Sequence, residues 1–201
     1  MVCRPMSRRR SEFPPARPQL ARVWKNVPWI VKSRGVSNLQ GAAMSEDLST
    51  ADLSDENEGR AQVLRLQMRD LGGRRAFSGP IRTVRCHEDN SKVKAMLATP
   101  GNGAVLVVDG GGSLNRALMG DLIAQSAVDQ GWAGVIVNGA VRDAAVLATL
   151  DLGVKALGTM PLRSVRRDLG ESDGVVAFGG VIFTPGDRVF ADADGVVVLP
   201  A

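Results

Sequence analysis

Cysteine and histidine are scarce in this chain of 201 residues, which has two cysteines and one histidine. Cys3 and Cys86 are too few for a disulfide framework, and together with His87 they do not make a zinc site. Two reduced thiols are typical of a cytoplasmic protein, which is the location we expect. Cys86 and His87 are neighbours on a predicted strand and so point to opposite faces, and we interpret both as structural. No run of 18 apolar residues occurs, so the sequence predicts no membrane-spanning helix.

Basic residues are concentrated at the start of the chain. Residues 1–43 carry nine Lys or Arg and one acid, a net charge of +8, together with five of the ten prolines. Residues 44–201 carry the other 16 bases and 20 acids, a net charge of −4. The net charge of +4 for the whole chain therefore hides two segments of opposite sign. The positive charge of the chain comes from residues 1–43, so it does not indicate that residues 44–201 bind nucleic acid directly.

The basic, Pro/Arg-rich extension over residues 1–43 shows no sustained hydrophobic period. Proline fixes φ and removes a backbone donor, so we expect this extension to be mostly unstructured. Three functions stay open for it: a nucleic-acid-binding arm, a targeting peptide, or a membrane-surface segment that uses Trp24, Trp29 and Ile30. We favour a fourth explanation, an upstream extension of the reading frame in front of a domain that begins at Met44.

Residues 44–201 have the pattern of one compact α/β domain. The predicted helices begin near Ser49 and at Ser91 and cover 121–130 and 142–150, and the predicted strands cover 81–86, 104–109, 134–137, 175–178, 180–183, 188–191 and 196–199. Turn-forming sequences separate the last four strands. Helices early and hairpins late predict a mixed sheet with helices on one side and a second β layer.

A glycine cluster, Gly110–Gly112, follows the predicted strand 104–109. Glycines in this place let backbone amides approach an anion, as in nucleotide or S-adenosylmethionine loops. The dinucleotide fingerprint, however, requires a glycine where this chain has Asn115, and no acid ends a following strand at the distance that ribose recognition needs. We interpret the cluster as a tight turn.

Two segments, Gly120–Ile123 and Arg142–Asp143, each open a predicted helix after an apolar strand. If these strands are parallel, both helix starts lie at the same edge of the sheet. Helix amides together with a guanidinium suit a carboxylate, and Asp143 would offer an oxygen to a hard divalent cation. A plainer interpretation stays open, in which Asp121 only caps its helix and Arg142–Asp143 form a solvated first turn.

Eight segments match motifs of one family in their order along the chain. They are Thr50–Asp55, Phe77–Pro80, Val105–Ser113, Gly120–Asp121, Gly139–Asp143, Asp151–Gly158, Pro185–Asp187 and Asp192–Val198. On these segments, residues 48–200 resemble the RraA-like family, which includes the regulator of ribonuclease activity A and the class II 4-hydroxy-4-methyl-2-oxoglutarate aldolases. The family's distinguishing motif is an aspartate, twenty residues and then Arg-Asp, which Asp121 and Arg142–Asp143 match.

The resemblance implies a three-layer β/β/α sandwich of the swivelling-domain type, with a mixed sheet and helices on one side. It implies a ring-shaped homotrimer, or a dimer of trimers, with the site near a subunit boundary. The implied reaction is the cleavage of 4-hydroxy-4-methyl-2-oxoglutarate to two pyruvates, with oxaloacetate decarboxylation through the same pyruvate enolate. The family's alternative is a non-enzymatic regulator that binds and inhibits a ribonuclease E-type enzyme.

The resemblance also implies a role for each residue of the motif. The residue matching Asp143 holds Mg²⁺ or Mn²⁺, often through waters. The residue matching Arg142 and the backbone of four consecutive residues bind the small 2-oxo acid; these four are Gly120, Asp121, Leu122 and Ile123. The residue matching Asp121 positions or deprotonates a water that carries the proton.

Two features of this chain differ from the aldolase members. The third residue after Asp143 is Val146, where those members commonly have an acid. The chain ends at Ala201, whereas a longer C-terminus contributes a metal-supporting acid elsewhere in the family. These differences predict that metal binding and turnover are weak or absent in this chain.

Overall fold

The computed structural model describes residues 49–201, so our interpretation of residues 1–43 and of Met44 as the domain start concerns residues outside that range. Within it the helices are α1 (Thr50–Glu56), α2 (Ser91–Leu97), α3 (Asp121–Asp129) and α4 (Ala144–Leu147). The strands are β1 (Gln62–Val63), β2 (Arg69–Asp70), β3 (Phe77–Arg85), β4 (Val105–Asp109), β5 (Ala117–Met119), β6 (Gly134–Val141), β7 (Gly153–Thr159), β8 (Glu171–Ser172), β9 (Val176–Phe178), β10 (Val181–Phe183), β11 (Arg188–Ala191) and β12 (Val196–Leu199). None of these helices is long and apolar enough to cross a membrane.

Ten of the strands form one mixed sheet, and β9 and β10 form a separate antiparallel hairpin. The order along the sheet is β1-β12-β11-β3-β4-β6-β7-β2, with β5 beside β6 and β8 beside β3. The central strands β3, β4, β6 and β7 pair in parallel, whereas β1, β2, β11 and β12 pair antiparallel. The predicted mixed sheet is confirmed.

Both faces of the central strands are buried, as β4 illustrates. Val105 and Val107 belong to a core shared with β9, β10, β11 and β12, whereas Leu106 and Val108 belong to a core shared with α2, α3 and α4. Successive residues of a strand point to opposite faces, so an unbroken apolar run serves both cores. The result is the predicted β/β/α layering, with α2, α3 and α4 on one side.

Most predicted elements are confirmed, but strand β7 is missing altogether from the elements predicted from the sequence. Among the elements that are predicted, the main difference lies between residues 134 and 150. Strand β6 does not end at residue 137 but continues to Val141, because this segment is buried throughout and pairs with β5 and β7. The helix predicted over 142–150 is reduced to Ala144–Leu147. Asp143 has a φ of 58°, in the left-handed region, so it cannot belong to an α-helix.

A charged pair is buried where β2 meets β7. The Lys155 ammonium lies 2.6 Å from Asp70 Oδ1, and their side chains are 2% and 20% exposed. The two residues are direct partners in the antiparallel pairing of these strands. A buried ammonium needs this counter-charge because its desolvation is otherwise uncompensated.

We expect Asp70→Asn to lower the free energy of unfolding by about 3 kcal/mol, because it leaves the Lys155 ammonium buried without a counter-charge. Urea unfolding followed by circular dichroism measures this change. The matched control is Asp151→Asn, which breaks the Arg74–Asp151 pair (2.8 Å) at a site where Asp151 is 78% exposed. The control is expected to cost less than about 1 kcal/mol. Equal losses in the two variants would contradict the prediction.

Candidate active site

The carboxyl ends of β5 and β6 lie side by side, because these two strands pair in parallel. Strand β5 leads through Gly120 into α3, and β6 leads directly into Arg142 and Asp143. The Arg142 amide donates a hydrogen bond to the Met119 carbonyl (2.9 Å), which joins the ends of the two strands. The structure therefore brings together the two segments that the sequence singled out.

The Asp143 carboxylate is the contact point between them. Its Oδ2 accepts a hydrogen bond from the Asp121 amide (3.3 Å) and lies 3.2 Å from Arg142 Nε. The left-handed φ of Asp143 is one that aspartate adopts more readily than most residues. A carboxylate at the N-terminus of α3 also interacts favourably with the helix dipole.

Gly120 is the residue that permits this close approach. A Cβ at this position would lie 2.5 Å from Asp143 Oδ2 and 3.0 Å from Cγ and Nε of Arg142. Its φ of −140° is open to any residue, so the requirement for glycine comes from the neighbouring side chains and not from the backbone conformation.

These segments border a cleft of about 470 Å³. Its lining residues are Asn90, Ala117, Met119, Gly120, Asp121, Leu122, Ile123, Arg142, Arg163, Ser164, Val165 and Arg166. All the predicted site residues are in this lining except Asp143. Asp143 contacts the lining residues Asp121 and Arg142 from beside the cleft.

The backbone amides at the start of α3 are not equally available. The Asp121 amide donates to Asp143, and the Leu122 amide donates to Asp121 Oδ1 (2.7 Å). The Ile123 amide has no acceptor among residues 49–201. The Ile123 side chain is in the core and the Leu122 side chain is 80% exposed. The arrangement can therefore offer an anion the Ile123 amide and the Arg142 guanidinium.

Sequence reasoning missed the wall of the cleft formed by residues 163–166. This segment is irregular and carries no motif; its only signal is the pair of arginines, Arg163 and Arg166, spaced three residues apart. Among residues 49–201 no carboxylate forms an ion pair with either guanidinium. The wall thus adds positive charge to the lining of the cleft.

The residues present suit a hard divalent cation and do not suit zinc. No three His, Cys, Asp or Glu side chains within residues 49–201 lie close enough together to hold a metal ion. Asp143 offers Oδ1, which accepts no hydrogen bond from the described residues, on a side chain that is 33% exposed. One carboxylate oxygen completed by waters and substrate is a common environment for Mg²⁺, whereas zinc requires a fuller protein ligand set.

Cys86 and His87 lie in different environments. Cys86 is buried, and this burial, together with the charges of Asp89 and Asp109, raises the pKa of its thiol to about 12. The side chain of His87 is 72% exposed. A protonated buried thiol and an exposed imidazole do not form a nucleophile–base pair.

The glycine cluster forms the predicted tight turn. Gly111 and Gly112 have φ values of 66° and 73°. The amides of Gly110 and Gly112 both donate to the Asn138 carbonyl (3.1 Å), and the Gly111 amide donates to Asp109 Oδ1 (3.1 Å). The amides of this loop are therefore engaged within the chain.

Three relatives show what the chain is similar to. A curated protein of Alcanivorax borkumensis, named "Putative 4-hydroxy-4-methyl-2-oxoglutarate aldolase", is 53% identical over 152 residues, which are 75% of this chain and 95% of that protein. A crystal structure from Geobacillus kaustophilus HTA426, described as S-adenosylmethionine: 2-dimethylmenaquinone methyltransferase, is 48% identical with a TM-score of 0.75, over 76% of this chain and 95% of that one. The RNA-processing inhibitor RraA from Thermus thermophilis is 42% identical with a TM-score of 0.74, over 77% and 93% of the two chains.

A family model described as RraA-like, Aldolase/RraA, matches residues 50–198. This range includes both segments of the candidate site and nearly all of the described fold. The resemblance found in the sequence motifs is thereby confirmed. The chain belongs to the RraA-like family.

Proposed function

We propose that this chain is a divalent-metal-dependent aldolase that cleaves 4-hydroxy-4-methyl-2-oxoglutarate into two pyruvates, with oxaloacetate decarboxylation as a secondary activity. The observation that carries the proposal is the convergence of Arg142, the N-terminus of α3 and the Asp143 carboxylate beside one cleft. The name of the Alcanivorax relative, of which this chain covers 95%, supports the same reaction class.

Substrate binding falls to Arg142 and to the start of α3. Arg142 Nε lies beside Asp143, so the two terminal guanidinium nitrogens remain for the C1 carboxylate of the substrate. The Ile123 amide at the helix N-terminus adds a backbone donor for the same end. These groups fix the 2-oxo acid end of the molecule, which both proposed reactions share.

Cleavage breaks the bond between C3 and C4 of the substrate. The C4 hydroxyl loses its proton and becomes the carbonyl of one pyruvate, and the electron pair of the broken bond forms the enolate of the other. That enolate then accepts a proton at C3. Asp121, which lines the cleft, accepts the hydroxyl proton through a water molecule and returns a proton to C3. Oxaloacetate reaches the same enolate by loss of carbon dioxide.

Asp143 is the residue that would hold the divalent cation, Mg²⁺ or Mn²⁺, through Oδ1 or an intervening water. When bound, the cation supplies positive charge that stabilises the negative charge developing on the 2-oxo group, worth several kcal/mol. Val146, on α4, is 45% exposed and adds no carboxylate to this side of the site. The proposed cation is therefore held weakly and depends on substrate oxygens.

The methyltransferase name of the Geobacillus relative is not extended to this chain. A nucleotide-like cofactor needs free backbone amides at the glycine loop. In this chain the amides of Gly110–Gly112 already donate to Asn138 and Asp109. The geometry of the loop therefore favours the aldolase over a methyltransferase.

We expect Arg142→Lys to lower kcat/KM for pyruvate release at least tenfold, because a lysine ammonium cannot bind a carboxylate through two parallel hydrogen bonds. Asp143→Ala and addition of EDTA are each expected to abolish most of the activity, and excess Mg²⁺ should restore only the EDTA-treated wild type. Lactate dehydrogenase coupled to pyruvate release measures both reactions.

The matched controls are Arg74→Lys and Asp151→Ala, which change a second Arg–Asp pair outside the cleft. Both controls are expected to keep wild-type activity. Wild-type rates in Arg142→Lys and Asp143→Ala would show that the proposed site is wrong, as would full activity in EDTA.

We expect Gly120→Ala to lower kcat while changing the melting temperature little. The added methyl group displaces the Asp143 carboxylate and the Arg142 side chain, which are flexible at their ends, so the fold adjusts but the site does not. Gly174→Ala, where a Cβ meets nothing within 4 Å, is the control. Equal kcat values in the two variants would contradict this role for Gly120.

A second candidate function is inhibition of a ribonuclease E-type enzyme without catalysis, favoured by the 42% identity to the Thermus RNA-processing inhibitor over 93% of its length. Purified protein is titrated against such a ribonuclease, and both complex formation and RNA cleavage are measured. Inhibition that survives Asp143→Ala, in a protein that releases no pyruvate, would replace the aldolase with this function. No complex at micromolar concentrations would dispose of it.

A further inference from the structure

The wall of the cleft that carries Arg166 has no regular secondary structure to hold it in place. Residues 163–166 lie in the irregular segment between β7 and β8. The first half of the wall is fixed to β5, because Ser164 Oγ donates to the Ala117 carbonyl (2.8 Å) and the Ala117 amide donates to the Leu162 carbonyl (2.8 Å). The second half, with Arg166, has a different attachment.

That attachment is the carboxylate of Asp89, a residue that is 1% exposed. Its Oδ2 accepts hydrogen bonds from the amides of Arg167 (2.6 Å) and Leu169 (3.4 Å), and its Oδ1 accepts from the amide of Ser91 (2.8 Å) at the start of α2. The backbone of Asp89 also forms a β-bridge with Val165. One buried side chain therefore ties the Arg166 half of the wall to the helical layer.

Among the residues that the structure describes, backbone amides and not a cation stabilise the negative charge of this carboxylate. Asp89 forms no ion pair within residues 49–201. Burial alone would raise the pKa of Asp89, but hydrogen bonds from Ser91, Arg167 and Leu169 outweigh it, and the net pKa is lowered. The group is ionised at neutral pH, and an amide in its place would set an NH₂ group against one of these donors.

We infer that Asp89 is a positioning residue for substrate binding, which holds Arg166 where it contacts the carboxylate remote from Arg142. The inference rests on the proposed function, whose substrate has a carboxylate at C1 and another at C5. Arg142 and Arg166 line the same cleft, and Arg166 has no carboxylate partner among the described residues. Charge complementarity assigns the C5 carboxylate to the Arg166 wall.

The test compares two ligands that differ at the remote end. Pyruvate has only the 2-oxo acid end, whereas 2-oxoglutarate also has the remote carboxylate and lacks the hydroxyl needed for cleavage. Dissociation constants are measured by calorimetry on the full chain with Mg²⁺ present. We expect Asp89→Asn to raise the dissociation constant of 2-oxoglutarate roughly tenfold, which is the size of one lost charge-assisted hydrogen bond. The dissociation constant of pyruvate is expected to stay unchanged.

Arg166→Gln is expected to give the same selective loss of 2-oxoglutarate binding. The double variant Asp89→Asn/Arg166→Gln should show no further loss, because both changes remove the same contact with the remote carboxylate. Asp168→Asn is the matched control, since Asp168 lies in the same segment but makes an exposed ion pair with Lys92 (2.9 Å). Asp168→Asn should bind both ligands as the wild type does. If Asp89→Asn does not fold, Ser91→Ala takes its place. This change removes the hydroxyl that accepts a hydrogen bond from the Asp168 amide (3.2 Å). A smaller loss of 2-oxoglutarate binding, with pyruvate binding unchanged, is then expected.

Three results would overturn the inference: equal weakening of both ligands, additive losses in the double variant, or a wild type that binds 2-oxoglutarate no better than pyruvate. Failure of the proposed function looks different. A wild type that binds both ligands but releases no pyruvate from 4-hydroxy-4-methyl-2-oxoglutarate would refute the aldolase, while the two dissociation constants would still decide the role of Asp89.

Discussion

The parallel pairing of β5 with β6 is the constraint on which the candidate site depends. Because the two strands run in the same direction, the chain leaves both at the same edge of the sheet. Gly120 and Arg142 are therefore neighbours although more than twenty residues separate them in the sequence. The Asp143 carboxylate links the two segments by accepting a hydrogen bond from the Asp121 amide. An antiparallel β5 would place these groups at opposite ends of the strands, and no cleft would join them.

The rigidity of this edge comes from the burial of the sheet on both faces. Strand β6 is buried from Gly134 to Val141, so the exit of the chain at Arg142 is fixed by packing against both cores. That support allows unusual local geometry at the edge, namely the left-handed φ of Asp143 and the absence of a side chain at Gly120. Residues held in sparsely populated conformations cluster at functional sites because the surrounding structure determines their geometry.

The sequence predicts the strongly patterned parts of this structure and misses the parts set by distant contacts. The apolar run of β4, the helix at Ser91–Leu97 and the spacing of Asp121 from Arg142 are all readable from the chain. Strand β5 is too short at three residues to give a pattern. Gly139 interrupts the apolar run of β6, so the sequence does not show that this strand continues to Val141. The wall at residues 163–166 depends on a hydrogen bond between residues 78 apart, which no local pattern records.

The relatives carry three different functional names on one fold, so the fold alone does not decide the function. The decision has to come from the groups at the edge of the sheet. An inhibitor surface does not require a guanidinium, a helix N-terminus and a carboxylate beside one cleft, whereas the metal-dependent cleavage proposed above would use all three. The wall of the cleft extends the same logic, because positive charge at Arg166 as well as at Arg142 suits a ligand with two carboxylates.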